Sequence, residues 1–294
     1  MAPPSVLPDR GGDRSHIPIG CLAMKDLPTF LAAHPESVLV DITGTQGSTP
    51  REAGAFMLVS ANALWGTIGG GQFEFMAIAK AREILAGTGG TAIMDIPLGP
   101  EIGQCCGGRT QLRFRRLTQA LTDELKARLA GEIERLPEVF LFGAGHVGRA
   151  LAAALAPLPL SVTVVETRQQ ELANLPDEIK ARLVPMPEAL VKDISAGGAV
   201  VILTHDHALD FLIAREALAR TDLAYTGMIG SATKRATLAS WLSREGDGEH
   251  GWMERLTLPI GGSTVRDKRP EVIAAMTAAE ILTALAAYRM RSSS

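Results

Sequence analysis

Residues 138–148 constrain the fold more than any other stretch of the chain. Glu138-Val139-Phe140-Leu141-Phe142 is a short apolar strand, and Gly143-Ala144-Gly145-His146-Val147-Gly148 follows it at once. An alanine-rich run over 146–156 then reads as a helix. A strand that turns through glycines into a helix N-terminus is the opening of a βαβ unit, which requires a parallel neighbour. Further apolar, β-branched runs supply neighbours at Ser161–Glu166, Ala199–Thr204 and Leu223–Ile229, with helices expected at about 208–220 and 231–244. Continuous apolar strands alternating with helices imply a parallel sheet covered on both faces. The C-terminal half is therefore expected to be an α/β, Rossmann-like doubly wound parallel sheet.

The N-terminal half is less regular and reads as a smaller α+β domain. Strands are expected at Val38–Ile42, Ala55–Val59, Thr91–Ile96 and Thr110–Arg115, with helices at about 24–33 and 73–86. Leu121, Leu125, Leu129 and Ile133 recur every four residues and give one apolar stripe to a helix over about 119–136. Pro137 ends it. The expected organisation is a flexible leader over 1–20, an N-terminal domain over 21–118, a linker helix over 119–137 and the α/β domain over 138–290.

Composition excludes several classes of function. The 294 residues carry a formal net charge of -3, too balanced for a nucleic-acid binder that works by counterion release. Aromatic residues are only 4%, so stacking platforms for bases are not the main device. The first twenty residues lack an apolar core, which argues against a secretory signal, and Pro157 and Pro159 break the apolar stretch from Ala150 to Val165. No membrane partner is expected. Three cysteines, two of them adjacent, make no disulfide framework and favour a reducing compartment, hence the cytoplasm.

The glycine loop carries the first chemical signal. Gly143 permits the turn, Gly145 lets backbone amides approach a diphosphate, and Gly148 lets helix and strand pack closely. Glu166 ends the next strand, where an acid accepts hydrogen bonds from a ribose diol. NAD(P) is one candidate ligand, and a pterin dinucleotide presents the same diphosphate. Thr204-His205-Asp206-His207 lies just past another strand, on the sheet edge where such folds bind ligands. His205 and His207, with Asp206 or Asp210, have the residue types of a metal site, or they cap and line a strand-to-helix turn. Gly227–Ser231 precedes Lys234 and Arg235, which reads as a second anion pocket or as an N-cap with a solvated first turn.

Gly103-Gln104-Cys105-Cys106-Gly107-Gly108-Arg109 is the most informative stretch. Vicinal thiols between glycines are placed to offer sulfur to a ligand, and Arg109 favours the thiolate that attacks or ligates. A soft thiolate suits a thiophilic metal or a carried sulfur atom. Gly47-Ser48-Thr49-Pro50-Arg51 and Gly66-Thr67-Ile68-Gly69-Gly70-Gly71-Gln72-Phe73-Glu74 are two more glycine-rich turns. The second opens a helix, and Arg51 is a candidate fork for phosphate or carboxylate. Arg113, Arg115 and Arg116 are expected on a solvated strand edge, and Cys21 carries no role. No acid–base set suited to hydride transfer stands out.

Taken together, these segments resemble the xanthine dehydrogenase accessory proteins of the XdhC/CoxI type. The resemblance rests on GSTPREAGAFMLV (47–59), GTIGGGQFE (66–74), GPEIGQCCGG (99–108), FGAGHVGRAL (142–151), THDHALD (204–210), YTGMIGSATKR (225–235) and the run 258–282, in that order. It spans nearly the whole chain beyond residue 20. Two departures are visible: Glu166 where the family often has Asp, and the longer stretch GGSTVRDKRPE at 261–271. The resemblance implies a maturation factor rather than an enzyme. Such a factor binds the molybdenum cofactor, supports its sulfuration with a cysteine desulfurase as sulfur source, and hands it to apo xanthine dehydrogenase. It implies a homo-oligomer and a cofactor site drawn from Arg51, Glu74, Gln104, Cys105, Cys106, Arg109, Gly143, Gly145, Gly148, Glu166, Thr204, His205 and Lys234, with Cys105 and Cys106 toward the molybdenum. An NAD(P)-dependent oxidoreductase with thiol-assisted catalysis and a cofactor-free chaperone of the apo-hydroxylase are the alternative readings.

Overall fold

A computed structural model describes residues 21–89, 92–99, 107–245, 251–262 and 264–292. The chain forms two compact units that part after Ala130. The first holds α1 (Cys21–Ala33), β1 (Ser37–Gln46), β2 (Phe56–Ser60), β3 (Leu64–Gly66), α2 (Gly71–Leu85), β4 (Ile93–Pro97) and β5 (Arg109–Arg116), and most of α3 (Gln119–Glu134). Its strands form one antiparallel sheet in the order β3-β2-β1-β5-β4.

Alternation along β1 explains how this sheet is covered. Val38, Val40 and Ile42 point to one face, where Phe73, Ala77 and Ala81 of α2 bury them. Leu39 points to the other, where it joins Leu27 and Leu31 of α1 and Leu121, Leu125 and Leu129 of α3. Ile133, the fourth position of that helical stripe, is 42% exposed.

The second unit holds β6 (Glu138–Phe142), α4 (His146–Leu155), β7 (Ser161–Glu166), β8 (Lys180–Leu183), β9 (Ala199–Ile202), α5 (His207–Ala219), β10 (Tyr225–Met228), α6 (Ala232–Arg244), α7 (Trp252–Arg255), β11 (Leu256–Thr257) and α8 (Pro270–Ser292). Six parallel strands run in the order β8-β7-β6-β9-β10-β11. Counted from β6, that is 3-2-1-4-5-6, the doubly wound order. Helices α4 and α8 cover one face through Leu151, Leu155, Ala274 and Ile281, and α5 and α6 cover the other through Phe211, Ile213, Leu238 and Leu242. The expected fold class is the observed one.

Helix α8 is long and apolar enough to cross a membrane by length and composition alone. Here Ala274, Thr277, Ala278, Ile281 and Leu285 are buried on its own unit. Its Glu280 carboxylate accepts hydrogen bonds from the Tyr225 hydroxyl (2.8 Å) and the Gly261 amide (3.0 Å). These contacts make it a core helix of this sheet.

Candidate functional site

In a doubly wound sheet the ligand crevice opens at the carboxyl ends of the strands where the order reverses, here between β6 and β9. The glycine loop lies there. Gly143 has φ +119°, and a Cβ on it would come within 2.5 Å of the Leu203 carbonyl oxygen beyond β9. A Cβ on Gly148 would fall on the Gly143 carbonyl oxygen. These two glycines are therefore demanded by packing inside the protein. Gly145 differs: its φ is -66°, and nothing lies within 4 Å of the Cβ position. Open space thus stands over the residue that begins α4, whose first amides have no earlier turn to bond.

Glu166 was expected to meet a ribose diol. It is instead 4% exposed and filled by the protein's own donors. Its Oε2 accepts from the Ala144 amide (2.9 Å) and Arg168 Nη2 (3.2 Å), and its Oε1 from the amides of Thr167 (2.8 Å) and Arg168 (3.2 Å). Burial pushes this carboxyl up, but the Arg168 guanidinium and the Ala144 and Thr167 amides outweigh it and bring the pKa to about 2. In this arrangement Glu166 fastens the glycine loop to β7. Arg149 also reaches the loop, donating to the Ala144 carbonyl (3.2 Å) and pairing with Glu171 (2.8 Å). Arg149 and Arg168 hold the loop although neither belongs to the expected cofactor set. Their signals are an arginine directly after the third glycine and another two residues past the strand-end acid.

At the ends of β9 and β10, Asp206 caps α5 by accepting from the amides of Ala208 (2.8 Å) and Leu209 (3.5 Å). Asp210 is fully buried. Its Oδ1 accepts from the Thr204 amide (3.1 Å) and hydroxyl (2.7 Å), and its Oδ2 is paired with Lys234. His205 and His207 are exposed, and no group of three or more His, Cys, Asp or Glu suited to a metal ion occurs among the described residues. The geometry thus gives both aspartates structural partners. Ser231 is an N-cap, as one reading held, but the two bases after it are not a solvated turn. Lys234 is tucked against Asp210 and the Ile229 carbonyl, and Arg235 bonds the carbonyls of Met253 and Leu256.

The first unit gathers its glycine motifs. Glu74, 2% exposed, accepts from the amides of Ile68 (2.9 Å) and Gly70 (3.1 Å) and from the Thr67 hydroxyl, so it shapes the turn from beneath. A Cβ on Gly69 would meet Pro50 at 2.6 Å, which sets this turn beside the Pro50-Arg51 segment. A Cβ on Gly47 would lie 3.3 Å from the Gly108 Cα, and Gly108 presses on the backbone of Gln46 and Ser48. The Leu98 amide bonds the Gly108 carbonyl and the Gly107 amide bonds the Leu98 carbonyl, each at 2.7 Å, closing the base of the β4–β5 connection. Gln104, Cys105 and Cys106 fall in that connection and lie outside the described residues. Arg51 is exposed, and Arg109 pairs with Asp95 at 2.7 Å.

The expectation for the other arginines needs correcting. Strand β5 lies between β1 and β4 and is not an edge. Arg113 and Arg115 converge on Asp41, which is 8% exposed, at 2.7 and 3.5 Å, and Arg116 binds the carbonyls of Ile84 and Leu85 at the end of α2. Alternation puts Arg113 and Arg115 opposite the α2 face and Arg116 on it, but no local pattern shows an acid on the neighbouring strand.

Similarity to known proteins agrees with this architecture. Residues 139–281 match the family model described as the XdhC Rossmann domain, and residues 30–96 match that of the XdhC and CoxI family. The uncharacterized protein YqeB of Escherichia coli K12 is 26% identical over 259 residues, 83% of this chain, and the chain spans only 42% of that relative's length. A crystal structure described as a xanthine dehydrogenase from Bacillus halodurans superposes with a TM-score of 0.72 at 19% identity, covering 90% of this chain and 96% of that one, a likeness of fold. With both of its characteristic models matched in successive stretches, the chain belongs to the XdhC/CoxI family.

Proposed function

We propose that the protein is a maturation factor for xanthine dehydrogenase that holds the molybdenum cofactor and delivers it to the apo-enzyme. Family membership supports the association with xanthine dehydrogenase maturation. The observation that carries the cofactor reading is the convergence in the first unit. The Gly66–Gly71 turn packs on Pro50-Arg51, and Gly47-Ser48 at the start of that same segment packs on Gly108, the residue that closes the connection bearing Cys105 and Cys106. Three motifs separate in sequence thus share one end of one sheet.

The residues present fit such a group. Gly70 has φ +76° and, like Gly145, nothing within 4 Å of its Cβ position, so backbone stands open at the starts of both α2 and α4. Helix starts with accessible amides suit a pterin phosphate or diphosphate. Arg51, exposed, adds a positive charge beside one of them. Thiolates of Cys105 and Cys106 suit molybdenum and sulfur. The bound group would supply the redox-active metal and its sulfido ligand, with a cysteine desulfurase as the sulfur source. The chain's own part is to bind, to shield and to release. We place this work in the cytoplasm and in a homo-oligomer.

The test has two readouts. Protein purified from its host is oxidised and assayed for pterin fluorescence, and for NAD(P) by mass spectrometry. The loaded protein is then added to inactive apo xanthine dehydrogenase. Bound pterin with restored turnover is expected, and Cys105→Ala or Cys106→Ala should lower cofactor stoichiometry. Bound NAD(P) without pterin would favour the oxidoreductase reading. Restored turnover by cofactor-free protein would favour a pure chaperone.

A further inference from the structure

Helix α8 is apolar on two sides, although the described residues cover only one of them. From Val272 to Tyr288 it carries a single charged side chain, Glu280, whose carboxylate is turned inward to Tyr225 and Gly261. Thr283 returns its hydroxyl to the Ala279 carbonyl (2.8 Å). The outer side is therefore an uncharged strip of Ala275, Ala279, Leu282 and Ala286, all of them exposed. Ala153 of α4, the helix packed against α8, adds an exposed methyl, while Arg149 is drawn away to Ala144 and Glu171. A helix covered on one side turns charges to water on the other, and a helix apolar all round is covered all round.

The charges at the ends of the strip point to what covers it. Glu271 and Arg289 are eighteen residues apart, five full helical turns, so they stand on one edge of α8 about 27 Å from each other. Antiparallel pairing with an identical helix sets each Glu271 beside the partner's Arg289 and opposes the two helix dipoles. Small residues then meet larger or equal ones, Ala279 near the partner's Leu282 and Ala275 near the partner's Ala286. Parallel pairing would set arginine on arginine. Arg266 and Lys268 precede the helix, and Arg269 is neutralised by Asp267 (2.6 Å), so these charges lie outside the strip. The strip is about 25 Å long and, with α4 beside it, about 20 Å wide. Its corrugated accessible area is on the order of the 800 Å² that each partner of a stable complex buries. A helix lying on a lipid surface has flanks rich in lysine and arginine, and α8 has neither residue between Glu271 and Arg289.

We propose that the outer face of α8 is the interface between two copies of this chain, paired antiparallel about a twofold axis near the middle of the helix. The proposal gives the homo-oligomer its contact surface and does not depend on the cofactor-holding reading.

Sedimentation equilibrium of the full-length protein tests it, with circular dichroism to check that each variant folds. Wild type is expected to be a dimer at micromolar concentration. Leu282→Glu and Ala279→Arg each put a charge in the middle of the strip from an exposed position and should raise the dissociation constant about a hundredfold. Glu271→Arg should raise it about tenfold, and combining it with Arg289→Glu should bring it back close to wild type, since the pair re-forms with its charges exchanged. A monomeric wild type, or a dimer that ignores both central charges in folded variants, overturns the proposal. An exchange variant no tighter than Glu271→Arg overturns it as well. So does a monomeric wild type that floats with phosphatidylcholine–phosphatidylglycerol vesicles, which would assign the face to lipid. Pterin content and activation of apo xanthine dehydrogenase, measured on the same samples, report on the delivery reading separately, so the two failures are distinguishable.

Discussion

Both units build a glycine turn at the start of a helix and hold it with a buried carboxylate, but they reach that carboxylate differently. In the first unit Glu74 lies in the opening turn of α2 and bonds back to Thr67, Ile68 and Gly70, four to seven residues away. In the second, Glu166 comes from the end of a neighbouring strand, twenty-two residues beyond the Ala144 amide that it holds. The first device closes on itself as soon as the local segment forms. The second exists only once β6 and β7 lie side by side, and it ties loop, strand and Arg168 into one unit. A turn held locally tolerates change in the rest of its sheet, whereas a turn held across strands shares the stability of the whole sheet.

The sharpest way to break the cross-strand device is Gly148→Ala. The added methyl would overlap the Gly143 carbonyl oxygen, part of the backbone. We expect a loss of about 3 kcal/mol in chemical denaturation, from overpacking alone. Hydrogen exchange should show the loosening throughout β6, α4 and β7.

Acid probes the Glu166 carboxylate next. In the folded protein the Glu166 pKa is held down at about 2, well below the ordinary carboxylate value. A depressed carboxylate pKa stabilises the fold above the unfolded value, and that contribution is lost as pH falls from about 4.5 toward 2. The linkage amounts to about 3 kcal/mol at neutral pH. Glu166→Gln should cost about 2 kcal/mol at pH 7 and flatten the acid limb of the second unit's stability curve. An acid limb identical in variant and wild type would refute this role for Glu166.

Glu74→Gln should be milder and confined. It weakens bonds to Thr67, Ile68 and Gly70, for a cost of about 1.5 kcal/mol. Faster exchange should be limited to residues 66–75, and peptides from β6 and β7 should keep wild-type protection. Gly145→Ala is the smallest change: with ordinary φ and open space, it should alter stability by less than about 0.5 kcal/mol. A larger effect of that variant on ligand retention than on stability would mark Gly145 as a contact residue.

Much of the second unit was legible because its central strands are short, continuous apolar runs. Glu138–Phe142 and Ser161–Glu166 were read with the ends that they have in the structure. Strands β8 and β11 went unread for the opposite reason. Lys180–Leu183 is an exposed edge with no apolar pattern, and Leu256–Thr257 is only two residues long. The long helix α8 gives no local signal of its place on the sheet. Its alanine-rich surface has no sharp apolar stripe, and its place on the sheet depends on Ala274, Ile281 and Glu280 finding partners far away in sequence.

By itself, the sequence determined the βαβ signature, the glycine positions and their chemistry, because turns, caps and periodicity are set by neighbours a few residues apart. Tertiary structure alone decided that Glu166 serves the loop, that Asp210 neutralises Lys234, that Arg113 and Arg115 share Asp41, and that Gly47 meets Gly108. Each of those depends on which strands come to lie side by side. That choice is made by the burial of whole faces, so no short stretch of sequence contains it.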